Sequence, residues 1–193
     1  MKISKNLYSY LKLHEYELNN KEFDRLFSYV ERYMNPTDSE CFYRLIRKSV
    51  PNYLYYMSFI PDSFFEDDHS IEHIVIPDNI KRIGYAAFRS CRQLQTVTIS
   101  NNVLHIPDCC FEYCDQLINV KLPDKVNSFG TCAFESCRSL TNLYVPKTLE
   151  DMYHDSFRKC YKLTIEYEGT SEDWVRKFGN LVLGIDGFTF LNK

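Results

Sequence analysis

The reading turns on Ala87-Phe88-Arg89-Ser90-Cys91-Arg92-Gln93-Leu94, with Ile76-Pro77-Asp78-Asn79-Ile80 and Ile83 upstream of it. Its phenylalanine recurs at a fixed interval in both directions. Phe65, Phe88, Phe111, Phe134 and Phe157 are each 23 residues apart (88 − 65, 111 − 88, 134 − 111, 157 − 134). No amphipathic helix or ordinary sheet keeps a period that long. It belongs to a solenoid, in which one supersecondary unit stacks on the next.

The period extends to other columns. Cys91, Cys114, Cys137 and Cys160 follow the aromatic at one offset, with Asp68 in the first copy. Ile71, Leu94, Leu117, Leu140 and Leu163 follow at the next. Further apolar columns read Ile74, Val97, Val120, Leu143 and Ile76, Ile99, Leu122, Val145. Two more read Met57, Ile80, Val103, Val126, Leu149 and Ile60, Ile83, Ile106, Phe129, Met152. A small column, Ala87, Cys110, Ala133, Ser156, precedes the aromatic. Val97-Thr98-Ile99 and Val120-Lys121-Leu122 alternate as short strands do. The rest of each unit is a looser helical or irregular return, with Pro77, Pro123 and Pro146 near its start. One unit cannot bury its own apolar edge, so stacking has to supply the core. The expected product is an α/β solenoid. Its strands form a parallel sheet on a concave side, and its aromatics and cysteines form internal ladders.

These columns resemble the BspA-like leucine-rich repeats. Ile76-Pro77-Asp78 through Leu94 and Leu122-Pro123-Asp124 through Cys137 are similar to that family's unit, and Tyr167-Glu168-Gly169-Thr170-Ser171-Glu172-Asp173-Trp174 to its usual ending. The resemblance spans about residues 53–193. It implies a leucine-rich-repeat solenoid of about five repeats. It implies little about function, because such repeats serve as adhesins, surface proteins and general binding modules.

The organisation expected is an N-terminal helical cap over residues 1–52, a repeat array over 53–168 and a C-terminal cap over 169–193. Asn20 can cap a helix with Phe23, Leu26, Phe27, Val30 and Met34 on one face. Asn35-Pro36 ends it, and Thr37-Asp38-Ser39-Glu40 reads as a capping box for the next helix, which carries Phe42, Leu45 and Ile46. An earlier helix is expected from Leu7 to about Glu17. A cap that shields the first turn is the simpler reading, since a solenoid needs covered ends; a separate effector or dimerisation module is the sharper one. At the far end Leu163-Thr164-Ile165-Glu166-Tyr167 comes one residue early, and a helix around Trp174 and Phe178 leads, past Leu181, Val182 and Ile185, to a strand near Phe188-Thr189-Phe190.

The 193 residues carry a net charge of −3, which argues against binding nucleic acid through its phosphates. No apolar run approaches membrane-spanning length. No uninterrupted apolar stretch of signal-peptide length follows Met1-Lys2-Ile3-Ser4-Lys5, so a cytoplasmic protein is expected where Met1 is the true start. In that compartment the eight cysteines are expected to be reduced, the periodic ones acting as small core hydrophobes.

Catalytic signatures are missing: there is no phosphate loop, no Gly-x-Ser-x-Gly and no His-Glu-x-x-His. Cys109, Cys110, Cys114, Cys132 and Cys137 lack any Cys-x-x-Cys pair, so no metal or other cofactor is expected. His69 and His73 fall on a turn and a strand, and Glu166, Glu168, Glu172 and Asp173 read as a solvated acidic rim. The outward strand positions remain as the candidate surface. They are His73 and Val75, Thr96 and Thr98, Asn119 and Lys121, Asn142 and Tyr144, then Thr164 and Glu166. Tyr144 is its best anchor, being of a residue type enriched in interface hot spots. The expected function is non-catalytic binding of another protein, with neither membrane nor small-molecule substrate. The alternatives are a mobile-element or pathogen product that inhibits a host complex, and a cell-surface adhesin fragment.

Overall fold

A computed structural model describes residues 20–49, 52–179 and 187–191. The periodic apolar columns wind into a coil whose Phe ladder marks five turns, with a six-stranded parallel main sheet along one side. Among the described residues two helices come first, α1 (Asn20–Tyr33) and α2 (Pro36–Ser49). The main sheet contains β2 (His73–Val75), β4 (Thr96–Thr98), β6 (Asn119–Lys121), β8 (Asn142–Val145), β10 (Thr164–Tyr167) and β11 (Gly187–Phe190). Register follows the repeat: Val97 lies beside Val120, and Asn119 beside Asn142. Thr164 pairs with Asn142, an offset of 22 (164 − 142), so the early arrival of the last strand is absorbed by a one-residue register shift.

The returns are turns and two-residue strands, with no helix among them. β1 (Phe59–Ile60) pairs with β3 (Arg82–Ile83). β5 (His105–Ile106), β7 (Ser128–Phe129) and β9 (Asp151–Met152) form a further three-stranded sheet. Main-chain bonds also join turn to turn through the corners. Phe65, Phe88, Phe111 and Phe134 donate their amides to Ala87, Cys110, Ala133 and Ser156 at 2.8–2.9 Å. This dense ladder holds non-glycine residues in the left-handed region, Ser63, Ala86, Cys109 and Cys132 at φ 52–55° and Asp67, Ser90, Tyr113, Ser136 and Lys159 at φ 56–65°.

The ring ladder is continuous. Successive centroids from Phe65 to Phe157 lie 4.8, 5.2, 5.3 and 5.4 Å apart, with planes within 13° of parallel. All five rings are fully buried. The cysteine column has its own logic. Cys91, Cys114, Cys137 and Cys160 donate their thiols to the carbonyls of Phe65, Phe88, Phe111 and Phe134 at 2.9–3.1 Å. A cysteine there fills a small apolar niche and also satisfies a buried carbonyl. Burial pushes the Cys91 thiol up to about 12.

Glycine enters where turns crowd. A Cβ on Gly84 would lie 2.4 Å from the Asp62 amide, and one on Gly130 would lie 2.5 Å from the Asp108 amide. The column therefore alternates Pro61, Gly84, Pro107, Gly130. Asp62 and Asp108 use the freed space to accept the amides of Tyr85 and Thr131 at 2.8 and 2.7 Å.

α1 and α2 pack on the first turn. Phe27 and Val30 of α1 are buried, with Leu26 and Met34 partly buried beside them. Phe27 meets Phe64 edge-on at 5.6 Å, and Tyr43 lies tilted against it at 4.9 Å. Arg47 binds Asp68 at 3.2 Å, donates to the Phe64 carbonyl and lies over Phe65. Asp68 occupies the cysteine position of the first copy because it faces this guanidinium. Asp24 accepts the amide and hydroxyl of Ser58 at 2.9 and 2.5 Å. α2 begins at Pro36, one residue before the expected capping box; proline suits a first helical position, where its missing N–H is no loss. The amide and hydroxyl of Ser39 turn back to the Asn35 carbonyl. The helix expected over 7–17, residues 181, 182 and 185, and the side chains of Phe23 and Leu45 lie outside the described residues.

At the other end comes α3 (Ser171–Phe178), capped by the Thr170 hydroxyl, which accepts the Asp173 amide at 3.1 Å. Its Trp174 is 5% exposed and meets the buried Tyr167 edge-on at 5.1 Å. Lys177 donates to the Leu149 carbonyl at 3.0 Å, fixing the helix against the last turns. β11 then adds to β10 in register, Phe188 beside Ile165.

Candidate functional site

Strand alternation builds the candidate surface. Val97, Val120, Leu143 and Ile165 point into the core and are 0–4% exposed. Their neighbours therefore point out, and the ten expected residues come together on the outer face of the main sheet. His73, Val75, Asn119, Lys121, Asn142 and Tyr144 are exposed; Thr96, Thr98, Thr164 and Glu166 are half-buried. Val75 is 68% exposed and Tyr144 43%.

Several of these side chains brace each other across the turns. His73 Nδ1 lies 2.9 Å from Thr96 Oγ1. Asn142 donates to Glu166 at 3.3 Å. Burial and then the nearby Glu168 carboxylate hold the Tyr144 hydroxyl above its usual range. Glu168 accepts the Lys147 amide at 3.0 Å. Ile118, 49% exposed, adjoins Asn119 and adds apolar area that strand alternation alone does not point to.

The face presents imidazole, hydroxyl, amide, ammonium and phenol groups. The His73–Thr96 pair comes closest to a base beside a hydroxyl, and the described contacts give its imidazole no orienting carboxylate.

A second cluster lies off the sheet, on the corner column Glu66, Arg89, Glu112, Glu135, Arg158. Arg89 bridges Glu66 and Glu112 at 3.1 and 3.0 Å. Glu135, 1% exposed, accepts from Arg158 and Lys159 at 2.6 and 3.1 Å. Burial alone would raise the Glu135 carboxyl; Arg158, the Cys132 thiol and Lys159 outweigh it and hold the group at about 2. Cys109 and Cys132 stand beside these glutamates, half-buried, outside the core cysteine column. Burial, then the Glu112 carboxylate, pushes the Cys109 thiol up to about 11. The sequence carried the signal for this cluster, since Cys109 and Cys132 occupy equivalent places in consecutive units. Weighing these cysteines only against the Cys-x-x-Cys spacing hid it.

A parallel coil with an unbroken ladder core and an open sheet of non-repeating side chains is a leucine-rich-repeat solenoid, a class built to present a binding or surface-exposed face. The chain belongs to the BspA type leucine rich repeat region family, which matches it in six copies over residues 38–173. That match opens inside α2.

Solved structures share the fold. A leucine-rich cell surface protein of Faecalibacterium prausnitzii superposes with a TM-score of 0.63 at 24% identity, covering 68% of this chain and 34% of its own. The leucine-rich repeat protein of T. pallidum gives 0.58 at 18% identity, covering 76% and 66%. The pneumococcal vaccine antigen PcpA gives 0.52 at 15%, covering 63% and 31%. The chain thus spans about a third of the Faecalibacterium protein and two thirds of the treponemal one. No curated protein matches the sequence.

Proposed function

We propose that this protein is a non-catalytic protein-binding module, and that its partner docks on the outer face of the main sheet around Asn119, Lys121, Asn142 and Tyr144. The observation that carries the reading is the contrast between columns. Inward strand positions repeat as Val97, Val120, Leu143, while outward ones change from turn to turn. The face offers one exposed aromatic, apolar Val75, and amide and ammonium groups in between. That mixture suits a protein surface better than a phosphate backbone or a lipid layer.

A photo-crosslinker tests the face. Placed at Asn119 or Asn142 it captures the partner in cells; placed at Lys81 or Glu150, on the return side, it does not. Tyr144→Ala weakens binding by about 1–2 kcal/mol, roughly five- to thirtyfold, with unfolding unchanged. Normal binding by that variant, together with its loss on changing exposed residues of α1, would move the function to the N-terminal helices.

The module works inside a cell in this reading. Its support is the cysteine column, whose thiols are engaged as donors to carbonyls and so need their protons. Alkylation of the denatured protein without reductant, taken directly from cells, finds those thiols free. A second reading is a surface protein, and the Faecalibacterium relative described as a cell surface protein favours it. Recovery from the cell exterior, or bridges along the cysteine column, would decide for that reading.

A further inference from the structure

We propose that the Phe111 and Phe134 turns share a binding site for a divalent cation of zinc-like chemistry, held by Cys132, Glu112 and Glu135 with Cys109 adjoining. The pattern that points to it is a doubled Cys-x-x-Glu. Cys109-Cys110-Phe111-Glu112 is followed one repeat later by Cys132-Ala133-Phe134-Glu135. The same columns in the other turns read Ser63 with Glu66, Ala86 with Arg89 and Asp155 with Arg158. Thiol and carboxylate therefore coincide in two adjacent turns only, where stacking brings one set over the other.

The geometry matches that pattern. One donor atom each of Glu112, Cys132 and Glu135 lies within 4.8 Å of the others. Four-coordinate zinc, with bonds of about 2.0–2.3 Å, needs ligand atoms roughly 3.4–3.7 Å apart. Small side-chain rotations close that gap. The backbone at both cysteines is fixed in the left-handed region at φ 55° and 54°, so the thiols leave equivalent corners.

The charge order gives an independent reason. Along the corner column the sequence is Glu66, Arg89, Glu112, Glu135, Arg158. The signs alternate except between Glu112 and Glu135, which are 8% and 1% exposed. Two buried carboxylates side by side repel. Arg89 binds Glu112 from one side, and Arg158 and Lys159 bind Glu135 from the other. A dication belongs in the gap that remains. Each carboxylate oxygen has two lone pairs, so Glu135 can coordinate while Arg158 stays in place and orients it.

Proton and charge balance are consistent with this. Cys132 now donates its thiol towards Asp155 at 3.5 Å. On binding, the S–H bond breaks, a sulfur–metal bond forms and the proton passes to solvent. Arg89, Arg158 and Lys159 stand against Glu66, Glu112, Glu135 and Asp155, three cations to four carboxylates. A dication with Cys132 as the thiolate adds one net positive charge and brings that sum to zero. The site would clamp consecutive turns in the middle of the array.

The test uses the full, reduced chain and cobalt(II) as the probe. One equivalent is expected to give the near-ultraviolet absorption of a cobalt–thiolate bond and the visible bands of a four-coordinate ion. Zinc displaces the cobalt, magnesium does not, and affinity rises with pH as the thiol proton is released. Cys132→Ser weakens binding at least about tenfold and removes most of the thiolate absorption. Glu135→Gln does the same to affinity; Glu112→Gln serves where circular dichroism shows the first variant unfolded. A folded wild-type chain with no thiolate band in excess cobalt overturns the proposal. So does a band of unchanged intensity in the Cys109→Ser, Cys132→Ser double variant, which would place the ion on other cysteines.

Discussion

Replacing Phe111 with alanine tests the ladder at its centre. The ring is fully buried and stacked between Phe88 at 5.2 Å and Phe134 at 5.3 Å, with interplanar angles of 11° and 13°. Losing a buried phenylalanine side chain forfeits roughly 1.5–3 kcal/mol of transfer free energy. The two stacked contacts add about 0.5–1.5 kcal/mol each. Backbone ladders on both sides keep the neighbouring turns apart, so the cavity cannot collapse. The expected loss is about 3–5 kcal/mol. Urea unfolding followed by circular dichroism measures it, with the midpoint falling and the slope retained. Phe111→Leu keeps most of the burial and loses the stacking, so its cost is expected to be smaller, about 1–2 kcal/mol. Because each turn touches only its neighbours, hydrogen exchange should localise the weakening to the Phe88–Phe134 turns. A wild-type midpoint in Phe111→Ala would refute the stacked register itself.

Three further outcomes follow from the same contacts. Gly130→Ala places a Cβ 2.5 Å from the Asp108 amide and should destabilise by about 1–3 kcal/mol, whereas Gly187→Ala meets only Thr164 Oγ1 at 3.9 Å; thermal melts that rank the two the other way would contradict the crowding argument. Glu135 has a depressed folded pKa, so its contribution is present above the ordinary carboxyl value of 4.5 and is lost as pH falls towards about 2; acid titration of Glu135→Gln should show a shallower loss over that window than wild type. Deleting residues 1–50 removes Phe27, Tyr43 and Arg47 from Phe64, Phe65 and Asp68, and should give aggregation or loss of cooperative unfolding; a monomeric, folded truncation would instead mark the helices as an independent module.

The core was legible because it repeats. A column that returns as phenylalanine in five consecutive units can only be an internal ladder, and the alternation of Val97-Thr98-Ile99 fixes which side of each strand is buried. The one-residue advance just after Leu163 was equally readable and became a register shift. The returns were less legible. Two-residue strands such as His105–Ile106 are too short for a period to emerge, and their pairing depends on neighbouring turns. The start of α2 moved two residues, from Asp38 to Pro36, because Thr37-Asp38-Ser39-Glu40 satisfies the capping pattern while Pro36 satisfies a competing rule for the first helical position. The proline–glycine alternation of Pro61, Gly84, Pro107 and Gly130 was present in the letters; its cause is a contact between units, outside the reach of any single one.

The recognition surface is harder to read for a reason rooted in the same architecture. In a solenoid the fold constrains the inward columns and leaves the outward ones nearly free, so the residues that choose a partner are the ones without a periodic signature. Asn119 can change without disturbing Val120, because the two side chains lie on opposite faces of β6 and only Val120 is buried. Departures from the repeat therefore hold the information about function. Tyr144 is one such departure on the sheet, in a column otherwise reading Val75, Thr98 and Lys121, and the Glu168 carboxylate of the following turn raises its hydroxyl pKa. Cys109 and Cys132 are another at the corner, where serine, alanine or aspartate stands in the remaining turns. Both departures span adjacent turns, so each depends on the stacking register. A perturbation that shifts the register by one residue would leave every turn locally intact and still separate Tyr144 from Glu168 and Cys132 from Glu112. Inserting one residue in the exposed Lys147–Thr148 turn makes that separation in the first pair alone. It should abolish partner binding, whereas Glu112, Cys132 and Glu135 all lie N-terminal to the insertion and keep their mutual register; cobalt binding should therefore outlast the loss even though Asp155, Arg158 and Lys159 shift.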